Sequence, residues 1–210
     1  MKDIKRYSAV EFKATPLKNE TRGNWDVVLE YHGEGEGPWL VDLSHRTRLD
    51  LQCADLAAQK PFGITIPETP CRSVLEKGIL VNRMNRIQTS IYHLDGETMD
   101  MPAEKEYTDV TESTIFVAIF GNNVFSICEK LSALDFAGAN QQTPFLFQGP
   151  FSHVPCQIVT LSRDAEKSGV VLTCSRGYGK HMIDGILHAG EEFGLTPAGE
   201  ARFTSWINNI

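Results

Sequence analysis

The chain has no Cys-x-x-Cys pair, no cluster of basic residues and no long apolar run, and each absence excludes a class of protein. Five cysteines, an odd number without metal-site spacing, argue against a disulfide framework and against a zinc ribbon. A formal net charge of -7 with scattered cations argues against nucleic-acid and anionic-membrane surfaces. No stretch approaches the roughly 20 apolar residues of a membrane-spanning helix, and the charged first residues precede no apolar run. We therefore expect a cytoplasmic protein with reduced cysteines.

What is present is the composition of an ordinary globular protein, 41% hydrophobic and 22% charged. Residues 39–51 alternate apolar and polar, which predicts a pair of half-buried strands or one strand with a bulge. A short helix is expected at about 54–59. The β-branched segments 78–83 and 86–94 predict a hairpin at the edge of a sheet.

A polar, Pro-containing linker at about 99–107 precedes a second unit, which opens with a strand at Thr114–Phe120. Residues 121–123 are predicted to end this strand and cap a helix, whose apolar face holds Val124, Ile127, Cys128, Leu131 and Leu134. Further strands are predicted at 145–147, 155–161 and 169–174. Ser175 is then expected to cap a helix at about 178–193, with Gly194 as its stop.

Hairpins and helices are mixed in this order rather than alternating strictly. The sequence therefore favours an α+β protein with antiparallel or mixed sheets over a doubly wound parallel sheet. We expect a first α+β half at 1–98 and a second at 108–210, which together form one compact unit.

Three groups of residues resemble the T-protein (aminomethyltransferase) family of the glycine cleavage system. The first group is Asp109-Val110-Thr111, which leads through a strand to Gly121 and on to Cys128-Glu129-Lys130-Leu131. The second group is Asp42-Leu43-Ser44-His45 with Leu49-Asp50-Leu51. The third group is Ser175-Arg176-Gly177 with His188-Ala189-Gly190-Glu191-Glu192-Phe193-Gly194 and Pro197-Ala198-Gly199-Glu200. The resemblance implies a T-protein-like folate-binding core, without that family's C-terminal barrel domain.

In extent the chain is more similar to the gamma subunit of heterotetrameric sarcosine oxidase. This resemblance implies partner subunits, alpha, beta and delta, that carry FAD, FMN and NAD, and no cofactor in this chain itself. The parent complex would oxidatively demethylate sarcosine or a related N-methyl amine, with tetrahydrofolate as the one-carbon acceptor. The role of this chain would be assembly and stability.

The segment 86–92 departs from the T-protein pattern, because the family has an acidic pair on the corresponding strand. Gln88, Thr89 and Ser90 have no carboxylate to hold a proton or to stabilise an iminium ion. We therefore predict no catalytic residue. The alternatives are a free-standing tetrahydrofolate-dependent aminomethyl- or methyltransferase that uses Asp42 or Glu166 instead, and a folate-binding module without chemistry.

Two residues are candidates for binding a folate-like ligand. The resemblance places the family's folate-recognising glutamate near Glu166, although the Gly-Tyr-Thr-Gly context is missing and a solvated hairpin turn is the alternative. Arg176 lies with Lys180 at a predicted helix start, where cations and free N–H groups can hold an anion such as a carboxylate. The alternative for Arg176 is a capped helix start with solvated cations.

Other polar motifs predict no site. His181, Asp184 and His188 follow one helix face without a fourth ligand, so we expect an exposed face and no metal. The Gly-rich segment 32–38 lacks the Lys and Ser/Thr of a P-loop and is predicted to be a flexible turn.

Several single residues are expected to be structural or to lie at an interface. His45 has no accompanying triad, and Asp42 is a strand carboxylate that needs a partner. Cys128 and Cys174 lie among apolar residues and are predicted to be core rather than nucleophilic. Trp25, Trp39 and Trp206 are predicted to be exposed aromatic residues at an interface.

Overall fold

The computed structural model describes residues 4–96, 100–138 and 142–210. The strands are β1 (Pro16–Arg22), β2 (Trp25–Tyr31), β3 (Trp39–Asp42), β4 (Arg48–Gln52), β5 (Ser73–Glu76), β6 (Ile79–Arg83), β7 (Gln88–His93), β8 (Tyr107–Asp109), β9 (Thr114–Phe120), β10 (Phe145–Phe151), β11 (Val154–Ser162), β12 (Gly169–Ser175) and β13 (Thr196–Ala198). The α-helices are α1 (Val124–Glu129), α2 (Gly179–Gly190) and α3 (Glu200–Ile207).

The strands form a six-stranded sheet, a five-stranded sheet and a separate hairpin. The six-stranded order is β10-β11-β12-β9-β3-β13, the five-stranded order is β5-β6-β7-β4-β8, and β1 pairs only with β2. The β13–β3 pair is parallel and the others are antiparallel. The prediction of antiparallel and mixed sheets with few helices is confirmed. Both larger sheets combine strands from before residue 98 with strands that begin at residue 107 or later.

The two larger sheets lie face to face, as the burial of the β9 side chains shows. These side chains alternate between the core under the helices and the core between the sheets, so both faces of the strand are buried. The helix-side residues are Ile115, Val117 and Ile119, and the inter-sheet residues are Phe116, Ala118 and Phe120. Burial of each large apolar side chain contributes about 1.5–3 kcal/mol.

A third apolar core covers the outer face of the five-stranded sheet. The loop after β4, with two short 3-10 turns, places Leu56, Ile64 and Ile66 against this face. The sheet residues in contact are Leu49, Leu51, Val81 and Ile91. The layers are therefore helices, six-stranded sheet, five-stranded sheet and loop. No helix in the described ranges is both long and apolar enough to cross a membrane.

The strand predictions were mostly confirmed, with two corrections. The predicted hairpin is β6–β7, but it is not at the edge, because β5 pairs outside β6 and β4 pairs with β7. Residues 39–51 form two strands that belong to different sheets, β3 and β4, so the connection between them crosses from one sheet to the other. The predicted linker, at about 99–107, starts at Met99, which lies outside the described residues. Strand β8 begins at the last residue of that predicted linker.

The helix predictions erred mainly at the ends. Helix α1 ends at Glu129, and Asn123 precedes it in a left-handed conformation (φ 62°) without a side-chain cap. Ser175 makes no side-chain cap either, and α2 begins at Gly179 after a 3-10 turn. The β1–β2 hairpin and α3 were not predicted.

The prediction of three exposed tryptophans is also corrected, because Trp25 is buried and Trp39 is half-buried. Trp206 is half-buried, stacks on Phe120 with ring centroids 4.8 Å apart, and its indole N–H donates to the Lys167 carbonyl. Its surface is largely used within the chain.

Gly199 marks a close approach between α3 and β2. A Cβ atom there would lie 2.2 Å from the carbonyl carbon and oxygen of Leu29. The Gly199 amide also donates to the buried carboxylate of Glu34 at 2.8 Å, which ties the Gly-rich segment 32–38 to the start of α3.

We expect Gly199→Ala to lower the free energy of unfolding by about 3 kcal/mol, because two backbone segments must separate. Urea denaturation measures the loss. Gly177→Ala is the matched control, since nothing lies within 4 Å of its Cβ position, and it should be neutral or slightly stabilising. Equal effects of the two substitutions would contradict the close approach.

Candidate functional site

A polar cleft of about 180 Å³ lies between the two larger sheets, beside β7. Strands β4 and β7 line it from the five-stranded sheet, β11 and β12 from the six-stranded sheet, and the β8–β9 connection closes one side. The lining residues are Arg48, Asp50, Gln88, Ser90, Tyr92, Val110, Ser113, Thr114, Gln157 and Thr173.

Strand β7 presents alternate side chains to this cleft. Gln88, Ser90 and Tyr92 line it, whereas Ile91 packs in the core on the opposite face. The strand on which the T-protein resemblance requires an acid therefore supplies an amide, a hydroxyl and a phenol.

A carboxylate nevertheless enters the cleft from the neighbouring strand. Asp50 on β4 is the register partner of Ser90, and its Oδ1 accepts a hydrogen bond from the Gln88 amide at 2.9 Å. Its Oδ2 accepts from the Gln52 amide at 2.6 Å. Sequence reasoning missed Asp50 as a site residue, because only the pairing of β4 with β7 places it beside Gln88.

Tyr92 links the two sheets across the cleft. Its hydroxyl donates to the Gln157 side-chain oxygen on β11 and lies 3.4 Å from the Thr173 hydroxyl on β12. Burial raises the pKa of Tyr92. The phenol therefore stays protonated at neutral pH and acts as a hydrogen-bond donor rather than a base.

Arg48 is a fully buried cation at the inner end of the cleft. Its guanidinium donates to the carbonyls of Ser44, Arg46, Thr111 and Thr114 and to the Thr114 hydroxyl. Burial lowers the pKa of Arg48 to about 10, so the group remains charged at neutral pH. It ties the β3–β4 connection to the β8–β9 connection and gives this end of the cleft a positive charge.

The cleft can bind a small polar ligand by hydrogen bonds. Of the residues that line it, Asp50 is the only carboxylate, and it is already held by two amides. No lining pair has the nucleophile-and-base arrangement that covalent catalysis requires.

A second charged cluster lies beside β3 and holds α3 in place. The Glu200 carboxylate contacts His45 Nε2 at 2.8 Å, Arg46 Nη2 at 2.8 Å and Arg22 Nη1 at 2.9 Å. Burial alone would raise the pKa of Glu200, but the hydrogen bond from His45 and the charge of Arg46 outweigh it and hold that pKa well below its ordinary value. His45 therefore has a structural role, which is one of the two roles expected from the sequence, structural or interfacial.

Asp42 is satisfied locally. Its Oδ1 accepts from the Ser44 amide at 2.9 Å, which fixes the turn after β3. Asp42 does not line the polar cleft.

The two predicted ligand residues, Glu166 and Arg176, lie apart. Glu166 is exposed in the β11–β12 turn, where its amide donates to Asp164 Oδ1 at 3.2 Å. Arg176 is half-buried and donates to the Tyr7 carbonyl. They lie at opposite ends of β12, about 20 Å apart along the strand, and neither lines the polar cleft.

Two of the three α2 residues considered as metal ligands, His181 and Asp184, have separate partners. His181 Nε2 lies 3.1 Å from the Ser152 carbonyl, and Asp184 pairs with Lys180 at 2.8 Å. Within the part of the chain that the structure describes, no three His, Cys, Asp or Glu residues are placed to hold a metal ion.

Comparisons with known proteins identify the fold. No protein-family model and no curated protein matches the chain. Among solved structures, it is similar to a chain of the heterotetrameric sarcosine oxidase from Corynebacterium sp. U-96, solved with pyrrole 2-carboxylate. The TM-score is 0.61 at 12% identity, over 75% of this chain and 85% of that one.

It is also similar to the glycine cleavage system aminomethyltransferase T from Bartonella henselae. The TM-score is 0.58 at 12% identity, over 88% of this chain but only 56% of that one. The protein therefore has the aminomethyltransferase-like fold that these two structures share.

Proposed function

We propose that the chain is a non-catalytic, gamma-like subunit of a heteromeric sarcosine-oxidase-type flavoenzyme. The parent complex would oxidatively demethylate sarcosine or a related N-methyl amine, with tetrahydrofolate as the one-carbon acceptor. The observation that carries this proposal is the cleft face of β7, where Gln88, Ser90 and Tyr92 provide no carboxylate.

The extent of the two structural similarities supports a subunit over a free-standing transferase. The aligned region covers 75% of this chain and 85% of the sarcosine oxidase chain. The same fold accounts for only 56% of the aminomethyltransferase chain.

The partners in this proposal are alpha, beta and delta subunits that carry FAD, FMN and NAD in the cytoplasm. This chain would contribute to assembly and stability. Its satisfied ionic groups fit that role, since the hydrogen bonds and ion pairs of Arg48 and Glu200 hold connections of the fold together.

The alternative function is a free-standing tetrahydrofolate-dependent aminomethyl- or methyltransferase, or a folate-binding module. The position of Asp50 favours this alternative. In that alternative Asp50 replaces Asp42 and Glu166 as the candidate acid, because it lies in the cleft and they do not. Its carboxylate is within hydrogen-bond distance of Gln88, on the strand where the resemblance expects an acid.

Affinity purification of the chain at native level tests the proposal. We expect larger chains to elute with it and the eluate to show the visible absorption of bound flavin, because the proposed role is assembly. The isolated chain is expected to show no tetrahydrofolate-dependent turnover. An untagged strain controls for non-specific elution.

A colourless, solitary chain would contradict the subunit proposal. If such a chain turned over tetrahydrofolate and Asp50→Asn abolished the turnover, the transferase alternative would replace it. Retained folate binding without turnover, in both wild type and Asp50→Asn, would identify a binding module.

A further inference from the structure

Two free cysteines face each other across adjacent strands. Cys156 on β11 and Cys174 on β12 are direct register partners, and both side chains belong to the apolar core under the helices. Directly opposed residues in an antiparallel pair project to the same face, so the two sulfur atoms lie side by side.

The backbone geometry is compatible with a covalent bond between them. Opposed residues in antiparallel strands have Cα atoms about 4.5–5.5 Å apart, within the range of about 4.4–6.8 Å for disulfides. The pair can therefore close without moving either strand to a new register.

The two thiols also affect each other's ionisation. Interaction with Cys156 lowers the pKa of Cys174, whereas interaction with Cys174 and burial raise the pKa of Cys156. Cys174 is thus the sulfur that ionises first, and the thiolate is the nucleophilic form.

The other cysteines lack this arrangement. Cys128 is fully buried on α1, whereas Cys156 and Cys174 retain 6% and 4% of their exposure. Cys53 and Cys71 are half-buried, and neither is in a cross-strand cysteine pair.

We propose that Cys156 and Cys174 form a redox modification site that hydrogen peroxide converts to an intramolecular disulfide. The Cys174 thiolate attacks one peroxide oxygen, the O–O bond breaks, and hydroxide leaves, which gives a sulfenic acid. The Cys156 thiol then attacks that sulfur, forms the S–S bond and releases water. Overall, two thiols are oxidised and one peroxide is reduced to two water molecules.

The site lies directly behind the polar cleft. The next register pair on the same two strands, Gln157 and Thr173, points to the opposite face and contacts the Tyr92 hydroxyl. A covalent bond at Cys156–Cys174 therefore constrains the two strands that hold Tyr92. The proposal does not depend on the proposed subunit function.

Thiol mapping of the full-length protein, alone or in the complex with which it purifies, tests the proposal. After removal of reductant and brief exposure to hydrogen peroxide, we expect free thiols to fall from five to three. Peptide mapping without reduction should give one linked pair, Cys156 with Cys174. This wild-type result needs no variant that might misfold.

Single substitutions sharpen the test. Cys156→Ala should form no disulfide and should accumulate a dimedone-reactive sulfenic acid at Cys174. Cys128→Ala, the matched control on a lone buried thiol, should form the Cys156–Cys174 bond as wild type does. The proposal is overturned if Cys53 and Cys71 are oxidised while both paired thiols stay reduced, or if the linked peptides contain another pair.

Discussion

Glu200→Ala is expected to lower the free energy of unfolding by about 3–5 kcal/mol. The substitution removes the carboxylate that contacts Arg46, whose side chain is fully buried, together with His45 and Arg22. A buried cation that loses its partner retains its desolvation cost, which is why breaking such a pair is costly. Chemical denaturation monitored by circular dichroism measures the change.

Asp184→Ala is the control for charge removal. The Asp184 carboxylate also forms an ion pair on a helix, with Lys180 at 2.8 Å, but both side chains are exposed. Water screens exposed ion pairs, so the free energy of unfolding of this variant should differ little from that of wild type. Similar losses in the two variants would show that burial of the Glu200 cluster is not what stabilises it.

The same cluster gives a pH dependence of known sign. Because the pKa of folded Glu200 lies below its ordinary 4.5, the unfolded chain takes up the proton first on acidification. The contribution of Glu200 to stability is therefore complete above about pH 4.5 and is lost as pH falls below it. Glu200→Gln should flatten this part of the stability curve, and an unchanged curve would assign the acid sensitivity to other groups.

Arg48→Met is expected to destabilise the protein by about 4 kcal/mol or more. The methionine fills much of the volume but donates no hydrogen bond to the carbonyls of Ser44, Arg46, Thr111 and Thr114, which then stay buried without these donors. Each such group costs about 1–3 kcal/mol. Equilibrium unfolding in urea, with the slope checked against wild type, measures the loss.

Arg83→Met is the matched control. The Arg83 guanidinium also donates to two carbonyls, those of Asn85 and Arg86, but these bonds are exposed to solvent. Water replaces the lost donor there, so we expect a change within about 0.5 kcal/mol. An equally small effect of Arg48→Met would show that the buried guanidinium does not hold the β3–β4 connection to the β8–β9 connection.

The strands that could be predicted from the sequence are those with two buried faces or with a strict alternation of apolar and polar residues. The run at β9 and the segments of β11 and β12 have few interpretations other than strands, because each is short, apolar and bounded by turn residues. By contrast, β1 has almost only exposed residues and shows no apolar period, so its pairing with β2 carries no sequence signal.

The site could be predicted only in part. The lack of an acid on β7 is visible in the residues themselves. Placing Asp50 beside Gln88 requires the pairing of β4 with β7, whose register partners are about 40 residues apart in the chain. The Glu200 cluster likewise joins α3 to residues more than 150 positions earlier.

The sequence by itself determined the class of fold and the absence of a carboxylate on the strand where the resemblance places one, because local periodicity and side-chain chemistry are properties of neighbouring residues. Tertiary structure alone decided which sheet each strand joins, which polar residues share the cleft and which cysteines face each other. Those outcomes depend on register between distant segments, where a shift of one residue reverses every side chain.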